Sequence, residues 1–334
     1  MDRMLTILNQ NNADVACAIY NENTLQGEQY YQILTRDQFT GLFLTPSKEG
    51  DRIFAAYGPQ MTGFVIGHFD SVLKRYFLTM IGVRRPYRRQ GIGTMLLNWL
   101  QQEVNKDAER EGLGMPSLEI SYCDPAEITW VLPGTPGHIH PNAPGVLLGS
   151  PAHLFFKNRG FLDFAYQNSY HLDLKSYQWP QEKMKPYLEK MAARGYTIEF
   201  YDPAKHKDMQ GLVDDLNNDL WNTQIPVEMN RPGGPRPTLI VNDHGRVGGF
   251  AGPIVVEDSG RGWLLGLLIH SRCRKAGCAT VLFNRMCEEF RKAGAQYMTI
   301  FTTENNPARA IYESAGFSIH ASWADMRRKA GSCG

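Results

Sequence analysis

The sequence predicts two tandem domains of the mixed α/β class. Two observations carry that expectation. Apolar runs of strand length alternate with helical segments along the 334-residue chain. The same ordered pair of signatures also occurs twice. The first signature, R-x-x-G-x-small, follows an apolar run each time. It reads Arg88-Arg89-Gln90-Gly91-Ile92-Gly93 after residues 76–83, and Arg274-Lys275-Ala276-Gly277-Cys278-Ala279 after residues 263–269. The second, A-x-x-x-aromatic-x-x-x-G-F, is carried by Ala152, Phe156, Gly160 and Phe161, then by Ala308, Tyr312, Gly316 and Phe317. Chance is a poor explanation for two signatures repeated in one order, so the chain reads as a tandem duplication.

The elements follow in order. Residues 12–21 read as a helix; 52–57 and 63–68 as strands; 76–83 as a strand buried on both faces; 117–121 as the next strand. The linker, 176–195, is expected to be ordered. Pro186 suits the first turn of a short helix, Tyr187, Leu188 and Met191 can share its face, and Gly195 suits its C-terminal stop. The second copy repeats the pattern with strands at 197–201, 238–242, 248–256, 263–269 and 297–302, and a helix at 209–219. The expected domains are 1–175 and 196–334. The first copy is longer because of residues 124–149, where Pro133, Pro136, Pro141 and Pro144 alternate with Gly134, Gly137 and Gly145. Such a segment forms neither regular helix nor inner strand. Its apolar Trp130, Leu132 and Val146 require it to pack, either over the first acceptor cleft or between the halves, with the cleft favoured.

Composition narrows the function. Lys and Arg number 35 against 34 Asp and Glu, a net charge of +1, with 43% hydrophobic residues. A coat for polyanions carries a basic excess, so nucleic acid is not the expected partner. No apolar run reaches the roughly 18 residues a membrane span needs, and the first residues lack a secretory core. A cytoplasmic protein with no membrane partner is expected. The six cysteines, at 17, 123, 273, 278, 287 and 333, form no CxxC pair and read as reduced thiols. His138-x-His140 lacks further ligands at useful spacing, so no metal is expected.

The glycine turn carries the chemistry. Glycine lets the backbone turn tightly and approach a ligand closely. The first amides of the following helix then point outward, and the helix dipole adds positive potential. Arginines beside the turn add charge, so the implied ligand is a pyrophosphate or similar anion. The P-loop and dinucleotide glycine patterns both fail here. Downstream, Asn305 can cap a helix with Pro307 in its first turn, and Ala308 clears space one turn before Tyr312.

These residues resemble the GNAT superfamily of acyl-CoA N-acyltransferases. The family pattern V-x-x-x-x-[QR]-x-x-G-x-[GA] is met at Val83, Arg88, Gly91 and Gly93, and, with Ile for Val, at Ile269, Arg274, Gly277 and Ala279. The pattern N-x-x-A-x-x-x-Y-x-x-x-G-F is complete at Asn305, Ala308, Tyr312, Gly316 and Phe317. In the first copy Gly149 and Phe156 replace Asn and Tyr. The resemblance implies mostly antiparallel sheets with a central V-shaped splay, and acetyl-CoA as co-substrate. In the first copy it assigns CoA binding to Ile81 and Val83 on the strand edge, and to Arg88, Arg89, Gln90, Gly91, Ile92, Gly93 and Thr94. In the second it assigns Leu267 and Ile269, then Arg274, Lys275, Ala276, Gly277, Cys278, Ala279 and Thr280, with Asn305. A strand amide would polarise the thioester, and a primary amine of a small molecule would attack directly. Tyr312 would protonate the leaving thiolate.

The general base is open: Glu304, His270, Glu257 and Asp258 each end a strand, and Glu304 is the residue chosen. The second copy is expected to be catalytic, because Phe156 lacks the phenol hydroxyl. Tyr122 could substitute in the first copy. The second copy's own acceptor loop is 220–237, with Trp221, Glu228, Arg231 and Arg236. Two other functions stay open: a non-catalytic acyl-CoA-binding or scaffolding protein, and an aminoacyl-tRNA-dependent transferase. The balanced charge and intact glycine turns rank the last lowest.

Overall fold

The computed structural model describes residues 5–25, 30–140 and 144–329; Pro141 of the insertion and Cys333 lie outside them. The chain divides into two compact units. One comprises Met1–Asn168 with Thr302–Glu304 and Ala321–Gly334; the other comprises Ser169–Phe301 with Asn305–His320. The expected boundaries follow the chain, whereas the compact units do not. The end of the second copy clusters with the first, because its last strand pairs there.

In the first unit, β1 (Thr6–Ile7) is followed by α1 (Ala13–Leu25), α2 (Arg36–Phe43), β2 (Arg52–Tyr57), β3 (Gly63–Asp70) and β4 (Arg75–Val83). Then come α3 (Ile92–Arg110), β5 (Ser117–Ile120), β6 (Val146–Leu147), α4 (Pro151–Lys157) and β7 (Leu162–Asp173), whose first residues belong here. The sheet runs β1-β2-β3-β4-β5 and then takes in the chain's last strand (Ser318–Lys329), which pairs antiparallel with β5 from Met326↔Ile120 to Lys329↔Ser117. β4 and β5 pair in parallel, with their ladder limited to Tyr76↔Leu118 and Phe77↔Glu119. Beyond that point they diverge, so the expected splay is present.

Apolar periodicity places the helices. Leu96, Leu97, Leu100 and Val104 of α3 pack with Val65, Tyr76 and Leu78 on one face of the sheet. Ile19 and Tyr20 of α1 and Phe39 and Phe43 of α2 pack with Phe64, Ile66 and Met80 on the other. Burying each such side chain contributes roughly 1.5–3 kcal/mol.

The second unit opens with α5 (Gln181–Ala192) and β8 (Tyr196–Phe200), then α6 (Met209–Leu216), α7 (Asp219–Met229), β9 (Leu239–Asp243) and β10 (Arg246–Gly252). A ribbon of β11 (Val255–Val256) and β12 (Gly262–Trp263), then β13 (Gly266–Ile269), α8 (Cys278–Lys292), β14 (Tyr297–Thr303), α9 (Arg309–Ser314) and β15 (Ser318–Lys329) complete the chain. An antiparallel sheet runs β13-β10-β9-β8. Here β13 and β14 are not neighbours in any sheet, so the splay is present in this unit too.

Three local expectations are corrected. Pro186 lies inside α5 rather than in its first turn, because the helix starts earlier, after Pro180. The α5 stripe that faces the core is Met184, Tyr187 and Met191, with Leu188 exposed. The helix expected over 209–219 breaks at Asn217, whose left-handed φ of 47° ends α6, and α7 occupies the first half of the expected loop 220–237.

Candidate acyl-CoA site

Both glycine turns have one geometry. A single 3-10 turn, Arg85–Tyr87 or Ser271–Cys273, leads from the strand. Arg89 and Lys275 then take φ 62°, and Gly91 and Gly277 take φ 82°. Neither α3 nor α8 has a side-chain cap, so the amides of the first turn remain available to a ligand. Charge at such a helix start is favourable for an anion.

The first arginine of each signature is used by the protein itself. Arg88 Nε donates to the Val83 carbonyl at 2.9 Å and its NH2 to Asn23 Oδ1 at 2.8 Å. Arg274 Nε reaches the Ile269 carbonyl in the same way, at 3.4 Å. This arginine locks the end of the strand to the turn. Arg89 is exposed, and it stands close enough to Arg159 to push that guanidinium's pKa down, after burial. Arg159 in turn donates from Nε to Thr94 Oγ at 3.0 Å.

A cleft of 280 Å³ opens in the first unit at the splay. It is lined by Ile81 and Val83 of β4, by Arg88 and Arg89, by Ile92 and Gly93 at the start of α3, and by Ala152, Phe155 and Phe156 of α4. Six of the nine first-copy residues assigned to CoA therefore share this cleft. Of the other three, Gln90 donates to the Pro86 carbonyl, Gly91 caps α3 and Thr94 is held by Arg159. At the far end stand Tyr30, Tyr31, Thr79, Met80, Val146, Leu147 and Trp323. Thr79 is the extra residue of a bulge: Ile66 pairs with Met80 and Gly67 with Leu78, leaving Thr79 without a partner on β3.

The insertion packs in the first unit. Val146 and Leu147 pair with Ala324 and Trp323, and Trp130 bridges Tyr31 and His140. His138 and His140 have ring centroids 4.3 Å apart, and His140 stacks on Trp130. Among the described residues no group of three or more His, Cys, Asp or Glu is placed to hold a metal.

In the second unit Leu267, Ile269, Ala279 and Thr280 are half-buried, Arg274 and Lys275 are exposed, and Ala276 and Cys278 are buried in the core. The face of Gly277 where a side chain would start is filled by Tyr187, whose Cδ1 lies 2.6 Å from that point. Tyr312 packs against Phe283 at 5.2 Å, with Phe317 and Tyr170 behind. Burial, with Tyr170 beside it, pushes its pKa up, so the phenol stays protonated. Asn305 is exposed, and among the described residues its side chain caps no helix. Asn306 Oδ1 instead accepts the Ala308 amide at 2.9 Å, which sets the start of α9 after Pro307.

The remaining candidates separate. Glu304 belongs to the first unit, where its amide donates to the Tyr166 carbonyl. His270 Nδ1 accepts the Arg272 amide, and burial then Arg272 lower its pKa. Glu257 pairs with Arg261, and Glu228 is clamped by Arg236. Trp221 covers Gly266. Tyr122 is exposed, with its pKa raised by Cys123 first. Sequence reasoning missed two buried carboxylates in the first unit. Asp124 lies in the turn after β5, where its amide donates to the Ser121 carbonyl, and its pKa is raised by burial. Asp325 accepts Gln167 Nε2 at 2.8 Å and the Tyr122 amide at 3.2 Å, and burial pushes its pKa up to about 6.

This fold and turn define an acyltransferase architecture, and the comparisons agree. Residues 16–115 and 184–317 match the acetyltransferase (GNAT) family model. The chain belongs to the GNAT family, in tandem form. Among solved structures it is similar to the glucosamine N-acetyltransferase region of a fungal multi-domain GH3 β-N-acetylglucosaminidase, with a TM-score of 0.58 and 13% identity, covering 97% of this chain but only 38% of that one. A GCN5-related N-acetyltransferase from Sphaerobacter thermophilus follows at 0.55 and 12%, covering 98% and 95% of the two chains. A tandem GNAT protein of the clavulanic acid biosynthesis pathway matches at 0.53 and 13%, over 100% of both. Such identities show the fold alone. No curated protein matches the chain. No helix among the described residues is long and apolar enough to cross a membrane.

Proposed function

We propose that the chain is an acetyl-CoA-dependent N-acetyltransferase that acylates the primary amine of a small molecule. The observation that supports this reading is the first-unit cleft, which joins the strand edge Ile81–Val83, the Arg89 turn and the open start of α3 in one continuous wall. The turn amides and Arg89 receive the pyrophosphate. The β4 edge receives the pantetheine arm, and the bulge at Thr79 presents the backbone amide that polarises the thioester carbonyl. The amine nitrogen attacks that carbon; the C–N bond forms, the C–S bond breaks and its electron pair leaves on sulfur. The amine gives up a proton, and the thiolate takes one. A thiol pKa near 8.5 makes the thiolate a tolerable leaving group even beside Phe156.

A second reading places the transfer in the second unit, with Tyr312 as the acid. It is favoured by the Tyr312 hydroxyl, which makes no hydrogen bond among the described residues and stays protonated. The test is release of free CoA thiol from acetyl-CoA on addition of amines, with the acetylated product weighed by mass spectrometry. Failure of wild-type protein to bind acetyl-CoA in calorimetry overturns both readings.

A further inference from the structure

We propose that residues 130–140 and 144–147 of the insertion build the acceptor end of the first-unit cleft, and that they select a primary amine carried on a flat, apolar body such as an aryl ring. This rests on the acyl-CoA reading of the same cleft.

The far wall is aromatic and layered. Tyr30, Tyr31 and Trp323 line it. Tyr30 meets Trp323 edge-on, with centroids 5.6 Å apart at 86°. Behind Trp323 stands Trp130 of the insertion at 5.1 Å and 65°. Trp130 is itself backed by His140, stacked at 4.1 Å and 18°. Each ring is braced by the next, so the wall is fixed before a ligand arrives. Gly145 closes the corner. A Cβ there would stand 2.8 Å from the Ala324 carbonyl and 3.1 Å from Asp325 Oδ1, and its φ is +83°. Only glycine lets the insertion lie this close to β15.

The charge on the lining decides between amine classes. Its ionised side chains are Arg88 and Arg89, and no Asp or Glu among the described residues lines the cleft. A polyamine or an aminoglycoside keeps several ammonium groups in the bound state, and each needs an accessible carboxylate to replace its lost hydration. An amino sugar needs a partner for each of its hydroxyls, and the far end offers only the hydroxyls of Tyr30, Tyr31 and Thr79 among the apolar surfaces of Met80, Val146, Leu147 and Trp323. A mono-amine with an aromatic ring needs neither. Its ring gains offset or edge contacts with Tyr30 and Trp323, and its single cationic head is attracted to ring faces on entry.

The experiment measures kcat/KM by thiol release with 2-phenylethylamine, tryptamine, spermidine, glucosamine and a lysine peptide at saturating acetyl-CoA. The arylalkyl amines should exceed the other three by at least about tenfold. Trp323→Phe and Tyr30→Ala should each raise the KM for tryptamine several-fold while leaving acetyl-CoA affinity unchanged, even where the loss of buried ring packing lowers the melting temperature. Preference for spermidine, glucosamine or the peptide overturns the inference, as does an unchanged tryptamine KM in both variants. If acetyl-CoA binds and no aryl amine is acetylated, the inference falls while the acyl-CoA site stands. If acetyl-CoA does not bind the wild type, the underlying reading falls with it.

Discussion

Trp323 pairs in register with Leu147, and both line the same cleft. One comes from the last strand of the chain, the other from the insertion of the first copy. The first unit therefore owes a wall of its cleft to the end of the second copy. A chain cut after Leu174 lacks β15, which leaves the edge of β5 unpaired and uncovers the core that Ala324 and Met326 fill. The expected outcome is a protein that neither shows a cooperative melt nor binds acetyl-CoA. A truncated chain that melts cooperatively and binds acetyl-CoA as tightly as the whole would contradict the strand assignment.

Gly277 is set by packing as much as by any ligand. Its φ of 82° and Tyr187 at 2.6 Å leave no room for a Cβ. Gly277→Ala should lower stability by about 1 kcal/mol or more for the backbone alone, with further loss from the clash. Thermal unfolding reads this directly. In the double variant with Tyr187→Ala the two losses should be non-additive. Charge reversal at exposed Lys275, not substitution of Gly277, is the clean probe of anion binding in the second unit.

Asp325 should make stability depend on pH. Its pKa rises from 3.8 unfolded to about 6 folded, mainly by burial. The folded state thus binds the proton more tightly. That contribution is full below pH ~4 and is lost as pH rises through about 6. Asp325→Asn keeps an acceptor for the Tyr122 amide, and Gln167 can turn its amide to suit. The variant should gain on wild type between pH 4 and 7 by up to roughly 2–3 kcal/mol, read from denaturant midpoints. A difference independent of pH would show that the carboxyl titrates normally.

Tyr312→Phe separates the two readings of the chemistry. The hydroxyl makes no hydrogen bond among the described residues, so the melting temperature should hold. If the second unit performs the transfer, kcat should fall at least about tenfold, as general acid help is typically worth 10²–10⁴-fold. Under the first-unit account it should stay within about twofold, less than any general-acid effect.

The repeat, the glycine turns and most strands were legible because they depend on local demands. A left-handed turn calls for Gly91 and Gly277 wherever it occurs, and the run 76–83 is apolar enough to be a buried strand in any sheet. Pairing partners were not legible. Nothing in Ser318–Lys329 says whether it will lie beside β5 or within its own copy, because period-two patterning fixes a face and not a neighbour. The role of Arg88 was hidden for the same reason: its partner is the Val83 carbonyl, a group every residue carries. The Asn306 cap differs from the expected Asn305 by one residue, since both can cap and only the turn after β14 decides. The aromatic wall could have been suspected from Trp130 and Trp323, but no spacing connects them.

The central claim is that the first-unit cleft holds acyl-CoA, and Arg89 is its most direct handle. The side chain is exposed and makes no hydrogen bond among the described residues that its loss would break. Isothermal titration of acetyl-CoA into wild type and Arg89→Glu compares them with little risk to the fold. A charge-assisted hydrogen bond contributes about 1.5–3 kcal/mol, so reversing the charge should weaken binding at the first-unit site by about tenfold or more, with an unchanged melting temperature. Binding of undiminished affinity and stoichiometry in Arg89→Glu would contradict the account and move the acyl-CoA site out of this cleft.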